Sequence, residues 1–426
     1  MRHARVDPEV GYGGSMVKRP RKPSHARAPA PPAHAGDSHN FGRHVTLRET
    51  EVHKPRTLLW EWLVLGAGSP LRALLDTIAK DELDEPEAFT FLPELRFSTP
   101  TAREGGTVER LALAPLGSLS PTRKRELAIV VGRAIALFTW LGLSDLHWEN
   151  MALGLDDRGR IVFAPLDVEI VFDDLALPTA TKLLPEADPE YGAVNRHACG
   201  VRRVIPFLGK PIDVTDLVAM VDAYLGMLRT LERHGGRVAE VLTNVPGLSE
   251  APIRVLLRGT GDYVRARSAP VWPPLLDAEA EQLARGDIPY FFRLYGRPGI
   301  HYFVEPSLER LGRLPTKGDV PQLEPLLPLA KGLRSPSRVS LREEGLFALL
   351  GAFDHPSFSG THAHGAIDVT FTPRRLTLTV GPKGDELVGK RDLRAYVGSV
   401  YLPCECGEVP SPLVPAVTTC SAAPTR

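Results

Sequence analysis

The chain has no net charge, because 51 basic and 51 acidic side chains cancel over its 426 residues. A balanced surface sets up no long-range field that would gather nucleic acid or an anionic membrane, so neither is expected as a partner. Cysteine is scarce at four residues, which argues against a disulfide-stapled scaffold and fits a reducing compartment such as the cytoplasm. Nowhere does an uninterrupted apolar run reach the length needed to span a bilayer. The first residues are basic and proline-rich with no apolar segment behind them, so they do not read as a secretory signal. No internal repeat is visible. With 43% hydrophobic residues the chain can still bury a substantial core, and a cytoplasmic enzyme is the expectation these absences leave.

Residues 1–35 hold seven Lys or Arg against two acids, with an Ala/Pro run over 28–35. Such a composition buries little apolar surface, and the segment is expected to be a disordered basic leader. From Gly36 the texture changes. Val45, Leu47 and Val52 fit short extended segments, a helical stretch is expected over 58–78, and a strand over 110–115. The clearest element follows. Ser120 is a good N-cap and Pro121 suits the first helical position. Leu127, Val130, Val131, Ala134, Ile135, Phe138 and Leu141 then recur at three- and four-residue steps until Gly142 ends the helix. A polar loop over 143–150 leads to two apolar runs, 151–155 and 160–166, around the turn Asp156-Asp157-Arg158-Gly159. A helix-rich region is expected over 212–290, and beyond Lys331 the chain reads as mixed, with strands at 366–371 and 375–380.

The order helix, polar loop, hairpin, acidic residue carries the chemistry. Phosphoryl transfer needs a carboxylate for the hydroxyl proton, oxygen ligands for Mg²⁺ and a cation on the phosphates. The loop Ser144-Asp145-Leu146-His147-Trp148-Glu149-Asn150 places Asp145 and Asn150 five positions apart, the spacing from base to metal-binding Asn in a kinase catalytic loop. The hairpin then delivers Asp167-Val168-Glu169, where a kinase has its second metal-binding Asp. Upstream, the glycine-flanked stretch from Gly36 to Arg43 precedes a strand and then His53-Lys54-Pro55-Arg56, the layout of a nucleotide-binding loop followed by its lysine. A third cluster, Arg254 to Thr260, reads R-V-L-L-R-G-T. It offers two guanidinium groups and a hydroxyl suited to phosphate, or equally an amphipathic element with exposed arginines.

Taken together, the G-D-S-H…K-P-R, D-L-H-W-E-N…D-V-E, R-x-x-x-R-x-T and G-D-I-P-Y-F (Gly286 to Phe291) series resembles the dehydratase domain of class II lanthipeptide synthetases over about residues 36–330. The resemblance implies an α+β, bilobal kinase-like fold, with the first lobe at 36–116, the second at 117–330 and a mixed extension at 331–426. It implies two stages: ATP- and Mg²⁺-dependent phosphorylation of Ser/Thr in a ribosomal precursor peptide, then loss of phosphate to dehydroalanine or dehydrobutyrine. By the same resemblance Asp145 is the base with His147 beside it, Asn150 and Asp167 are Mg²⁺ ligands, and Lys54 and Arg258 serve the nucleotide. Asp37, His39, Arg254 and Thr260 serve elimination.

The sequence departs from that family in three respects. Only a short tail precedes the G-D-x-H motif, the stretch 42–54 is tight for the usual strand pair, and the zinc cyclase is absent. Cys404-Glu405-Cys406 and Cys420 do not supply its ligands, and the His-containing segment from Gly360 to Gly365 reads as a turn. A stand-alone dehydratase, with a separate cyclase as a further partner, is therefore expected. Two rivals stay open: a kinase without elimination, and an inactive subunit that presents a peptide to another enzyme.

Overall fold

The computed structural model describes residues 33–83, 85–172, 181–184, 199–209, 212–271, 274–295 and 297–315, together with four strands between 357 and 391. Residues 1–32 of the expected leader (1–35), most of the expected tail and Cys404, Cys406 and Cys420 lie outside the described residues.

The chain is a mixed α+β protein whose sheets are antiparallel. It begins with β1 (Ala33–His39), β2 (Arg43–Leu47) and β3 (Glu51–Lys54), followed by helices α1 (Leu59–Leu65) and α2 (Pro70–Asp81) and strands β4 (Phe97–Ser98) and β5 (Gly106–Glu109). These five strands form one sheet in the order β1-β2-β3-β5-β4. The first strand starts at Ala33, slightly inside the stretch read as leader. In β3 and β5 the register Val52↔Val108 and Lys54↔Gly106 puts Val52, Lys54 and buried Val108 on the face toward the core.

The single helix expected over 58–78 is two helices. Gly66 to Ser69 interrupts it, Ser69 Oγ accepts from the backbone N–H of Arg72, and Pro70 opens the second helix. The strand expected over 110–115 is also corrected. The strand is β5, and beyond it only Ala114 pairs, in an isolated bridge with Leu155.

Helix α3 (Pro121–Trp140) matches the expected element: Ser120 caps it and Gly142 follows in the left-handed region, φ 60°. It lies along α5 (Val214–Thr243) so closely that a Cβ built on Gly132 would stand 2.2 Å from the Met220 carbonyl oxygen. Around these two helices Leu127, Val131, Ile135, Phe138, Tyr224 and Leu228 are fully buried. Their burial contributes to the core that holds the two helices together.

The hairpin β6 (Met151–Leu155) and β7 (Ile161–Pro165) forms around the expected turn, with Leu155 paired to Ile161 at its base. Helix α4 (Ile205–Leu208) precedes α5. The region 212–290 is helical as expected in α5, α6 (Thr260–Ala266) and α7 (Asp277–Ala284), but it also contains strand β8 (Pro252–Val255). Arg254 therefore sits on a strand. β8 joins β9 (Phe291–Leu294), β10 (Arg297–Phe303) and β11 (Leu311–Arg313) in a second sheet. Strands β12 (Ser357–His362), β13 (Gly365–Phe371), β14 (Leu376–Val380) and β15 (Gly389–Arg391) make a third; Gly360, Thr361 and His362, read as part of a turn, lie on β12, and His362 pairs with Gly365 of β13. Among the described residues no helix is long and apolar enough to cross a membrane.

Candidate active site

Lys54 ends β3 and is almost completely buried, a position a charged amine can hold only with partners. Its Nζ donates to both carboxylate oxygens of Glu61 (2.9 and 2.8 Å), to the Leu166 carbonyl (2.8 Å) and to Asp167 Oδ1 (3.1 Å). Burial still pulls the Lys54 amine below its ordinary value, although Glu61 opposes the shift. Glu61 is the one acid in the otherwise apolar α1, Leu-Trp-Glu-Trp-Leu-Val-Leu, and its side chain is 2% exposed. The sequence reading found Lys54 and Asp167 but not this glutamate. Its signal was an acid inside an apolar helical run, where burial requires a partner.

Arg56 extends the network. It bonds Asp167, Glu61 Oε2 at 3.1 Å and Glu169 Oε2 at 3.1 Å. Glu169 in turn bonds Arg254, whose backbone N–H donates to the Glu169 carbonyl at 2.8 Å. Three cations (Lys54, Arg56, Arg254) thus interleave with three carboxylates (Glu61, Asp167, Glu169). Burial alone would raise the Glu169 carboxyl, but Arg254 and Arg56 outweigh it and hold the group down at about 2. The Arg254 guanidinium lies 5.4 Å from the centroid of buried Tyr290, and its Nε has no hydrogen-bond partner among the described residues. A buried guanidinium donor left unpaired is suited to an incoming anion.

His39 stands against the same tyrosine, ring centroids 5.8 Å apart. Its Nδ1 is 2.8 Å from the Ile288 carbonyl. A carbonyl can only accept, so Nδ1 carries the proton and Nε2 remains the basic nitrogen. Burial and then the neighbouring Arg254 charge lower the imidazole below its usual value, which keeps it neutral. Asp37 is exposed and reaches His39 only through its charge.

The loop that carries His39 is pinned from below. At the β1–β2 tip, Asn40, Phe41 and Gly42 all take positive φ (48°, 71° and 77°). The N–H groups of Phe41 and Gly42 donate to the fully buried Asp287 carboxylate at 2.7 and 2.9 Å, and Arg285 stacks on the Phe41 ring at 4.0 Å. Ile288 N–H donates to the Ser38 carbonyl at 2.8 Å. These contacts give the G-D-I-P-Y-F segment a definite local role: Gly286, Asp287 and Ile288 fix the tip, and Tyr290 lies beside Arg254 and His39. The tip's backbone donors are therefore spent on Asp287.

Asp145 follows helix α3 in the left-handed region, φ 63°, a conformation that costs energy for a residue with a Cβ. Asn150 Nδ2 donates to its carbonyl (2.9 Å) and to Oδ2 (3.3 Å), and Lys182 Nζ donates to Oδ1 at 3.2 Å. The Asn150 carbonyl accepts from Leu166 N–H at 2.7 Å, which sets this loop beside Asp167. Asn150 Oδ1 and Asp167 Oδ2 take no hydrogen bond from the described residues, so two hard oxygens lie on adjacent segments. That donor set fits Mg²⁺, which takes one or two protein oxygens and completes its shell with phosphate and water. Among the described residues no group of three or more His, Cys, Asp or Glu is arranged to hold a metal.

Two sequence-predicted residues have other commitments, and a third is exposed. His147 Nδ1 accepts from Glu149 N–H at 3.3 Å and so caps the short 3₁₀ turn Trp148–Asn150. Arg258 donates to the buried Glu279 at 2.9 Å and to the Pro274 carbonyl at 2.8 Å, an arrangement completed by the Tyr263 hydroxyl on Glu279. Thr260 is exposed at the first position of α6. A cavity of about 780 Å³ lies on the outer face of the first sheet, lined by Glu51, Arg96, Ser98, Thr107 and Glu109 among others. None of the sequence-predicted site residues lines it.

No protein-family model matches the chain, and no curated protein matches it. The functional reading therefore stands on the residues and their geometry.

Proposed function

We propose that the chain is an ATP- and Mg²⁺-dependent dehydratase of peptide Ser/Thr residues, built on a bilobal kinase-like fold. Arg56 carries the reading: it bonds Asp167, which belongs to the phosphoryl-transfer set, and Glu169, which holds Arg254 of the elimination set. Two groups of residues with separate chemical tasks share one ion network.

In the first stage Asp145 receives the proton of the substrate hydroxyl as that oxygen attacks the terminal phosphorus of ATP. Lys54 is oriented by Glu61, as the strand lysine of a kinase is by its helix glutamate. Asn150 and Asp167 would hold Mg²⁺, which supplies neutralising charge on the phosphates. In the second stage His39 Nε2 takes the α-proton, a Cα=Cβ bond forms, and the Cβ–O bond breaks with its electron pair leaving on phosphate. Arg254 stabilises that departing charge. Keeping both stages in one cleft holds the phosphorylated side chain near its next partners. The peptide is expected to be ribosomally made, with a separate cyclase acting on the product.

The test is ADP formation on adding a Ser/Thr-containing peptide to the purified chain with Mg²⁺ and ATP. Peptide-dependent ADP that disappears in Asp145→Asn and Lys54→Met supports the reading. A wild-type chain that neither binds nucleotide nor forms ADP with any such peptide overturns it and leaves the peptide-presenting role.

A further inference from the structure

Lys182 belongs to no motif in the sequence, yet its Nζ lies 3.2 Å from Asp145 Oδ1. Both residues sit in the left-handed region, at φ 59° and 63°. Two strained non-glycine residues whose side chains meet call for a cause. Stability does not supply one. The side chains are 40% and 29% exposed, and a solvent-facing ion pair contributes little to folding. The strain is nevertheless held firmly: Leu146 N–H donates to the Thr181 carbonyl at 2.9 Å, Leu183 N–H to Thr181 Oγ1 at 3.0 Å, and Gly200 N–H to the Lys182 carbonyl at 3.1 Å. These bonds tie the lysine's segment to the loop of Asp145 on one side and to 199–201 on the other.

We propose that Lys182 is a catalytic residue of the first stage, binding the phosphoryl group in transit between nucleotide and peptide hydroxyl. The inference rests on the dehydratase reading above and assigns it a residue. As the hydroxyl oxygen bonds to phosphorus, the bond from phosphorus to the bridging oxygen of ATP breaks, the proton passes to Asp145, and negative charge spreads over the three equatorial phosphoryl oxygens. An ammonium group gains little from a carboxylate about to be neutralised, and much from an anion arriving beside it. Lys54, Arg56 and Arg254 stand at Glu61, Asp167 and Glu169 rather than at Asp145, where the hydroxyl gives up its proton. Lys182 is more open than any of them and stands at the carboxylate itself. Its four-carbon stem allows Nζ to swing from Asp145 to the phosphoryl oxygens without moving the backbone.

The test compares wild type and Lys182→Met on two substrates. One is an unmodified Ser/Thr peptide with Mg²⁺ and ATP; the other is a synthetic phosphoserine peptide with no nucleotide. Phosphorylation is expected to fall about 100-fold, the usual effect of removing one transition-state donor, while elimination from the phosphopeptide falls at least tenfold less. The phosphopeptide arm also reports that the variant is folded. Phosphorylation within threefold of wild type overturns the assignment, as does an equal loss on both substrates, which would make Lys182 a brace for the whole cleft. A wild type inactive on both substrates overturns the dehydratase reading and this assignment with it, an outcome distinct from a failure of the lysine alone.

Discussion

Replacing Glu169 by glutamine tests the ion network at its centre. The side chain is 10% exposed and bonds Arg254 and Arg56. Glutamine keeps its shape and the backbone bond to Arg254, but leaves Arg254 with no carboxylate partner among the described residues. The hold on the Glu169 carboxyl, from 4.5 to about 2, corresponds to about 3 kcal/mol of preference for the charged form. Breaking one side of a buried ion pair costs about 3–5 kcal/mol by analogy with other proteins, so the two routes agree in size. At about 2.1 cal/mol/K of unfolding entropy per residue, a loss of about 3–5 kcal/mol lowers the melting temperature of a chain this size by roughly 3–6 °C near neutral pH. The sign with pH follows from the depressed value. The stabilisation is complete above about pH 4.5 and is lost as the pH falls toward about 2. Thermal melts followed by circular dichroism should therefore show a gap between wild type and variant that is wide at neutral pH and narrows in acid. A gap under about 2 °C at neutral pH, or one that stays constant in acid, would refute the network as drawn.

Three further outcomes follow from individual contacts. Because burial and Arg254 lower His39, the acid limb of phosphopeptide elimination should have its midpoint below the ordinary histidine value of 6.5; a midpoint at or above it argues against His39 as the base. Asp287→Ala strands the N–H groups of Phe41 and Gly42 beside Arg285, at a cost of about 2–4 kcal/mol, and should speed hydrogen exchange at residues 38–42 far more than in α3; unchanged exchange there contradicts the latch. Gly132→Ala adds a methyl 2.2 Å from the Met220 carbonyl. Overpacking of about 1–3 kcal/mol should outweigh alanine's helix preference of about 1 kcal/mol, so urea denaturation should show a net loss of stability, and equal or greater stability would contradict the close α3–α5 contact.

The elements that were legible in the sequence are those with strong local signals. Ser120-Pro121 and the apolar period fixed α3, and two β-rich runs around an Asp-Asp-Arg-Gly turn fixed the β6–β7 hairpin. The break in 58–78 was also written locally, as Gly66, Gly68 and Ser69-Pro70, but apolar periodicity continued across it and concealed it. β5 was placed too late because the apolar residues 111–113 look strand-like, whereas pairing with β3 decides the strand and that pairing is not local.

The site shows the same division. Asp145, Asn150, Lys54 and Asp167 follow from spacing, and all four lie in the contacts described. Glu169, Asp287 and Tyr290 act through partners distant in sequence, so their roles depend on the tertiary fold, and they were visible only as letters within motifs; Glu61 lies within seven positions of Lys54 and Arg56, and its signal was local, an acid inside an apolar helix. Lys182 meets Asp145 across 37 positions, and no pattern announces it. Arg258 shows what residue chemistry leaves open: a guanidinium suited to phosphate bonds a buried glutamate in the fold.

The most direct measurement of the central claim is the intact mass of a Ser/Thr peptide after incubation with Mg²⁺ and ATP, for wild type and Arg254→Ala side by side. Two stages in one cleft predict loss of water from the peptide with wild type, and a phosphate adduct that accumulates with the variant. A stable phosphate adduct with wild type itself would contradict the elimination stage and leave a peptide kinase.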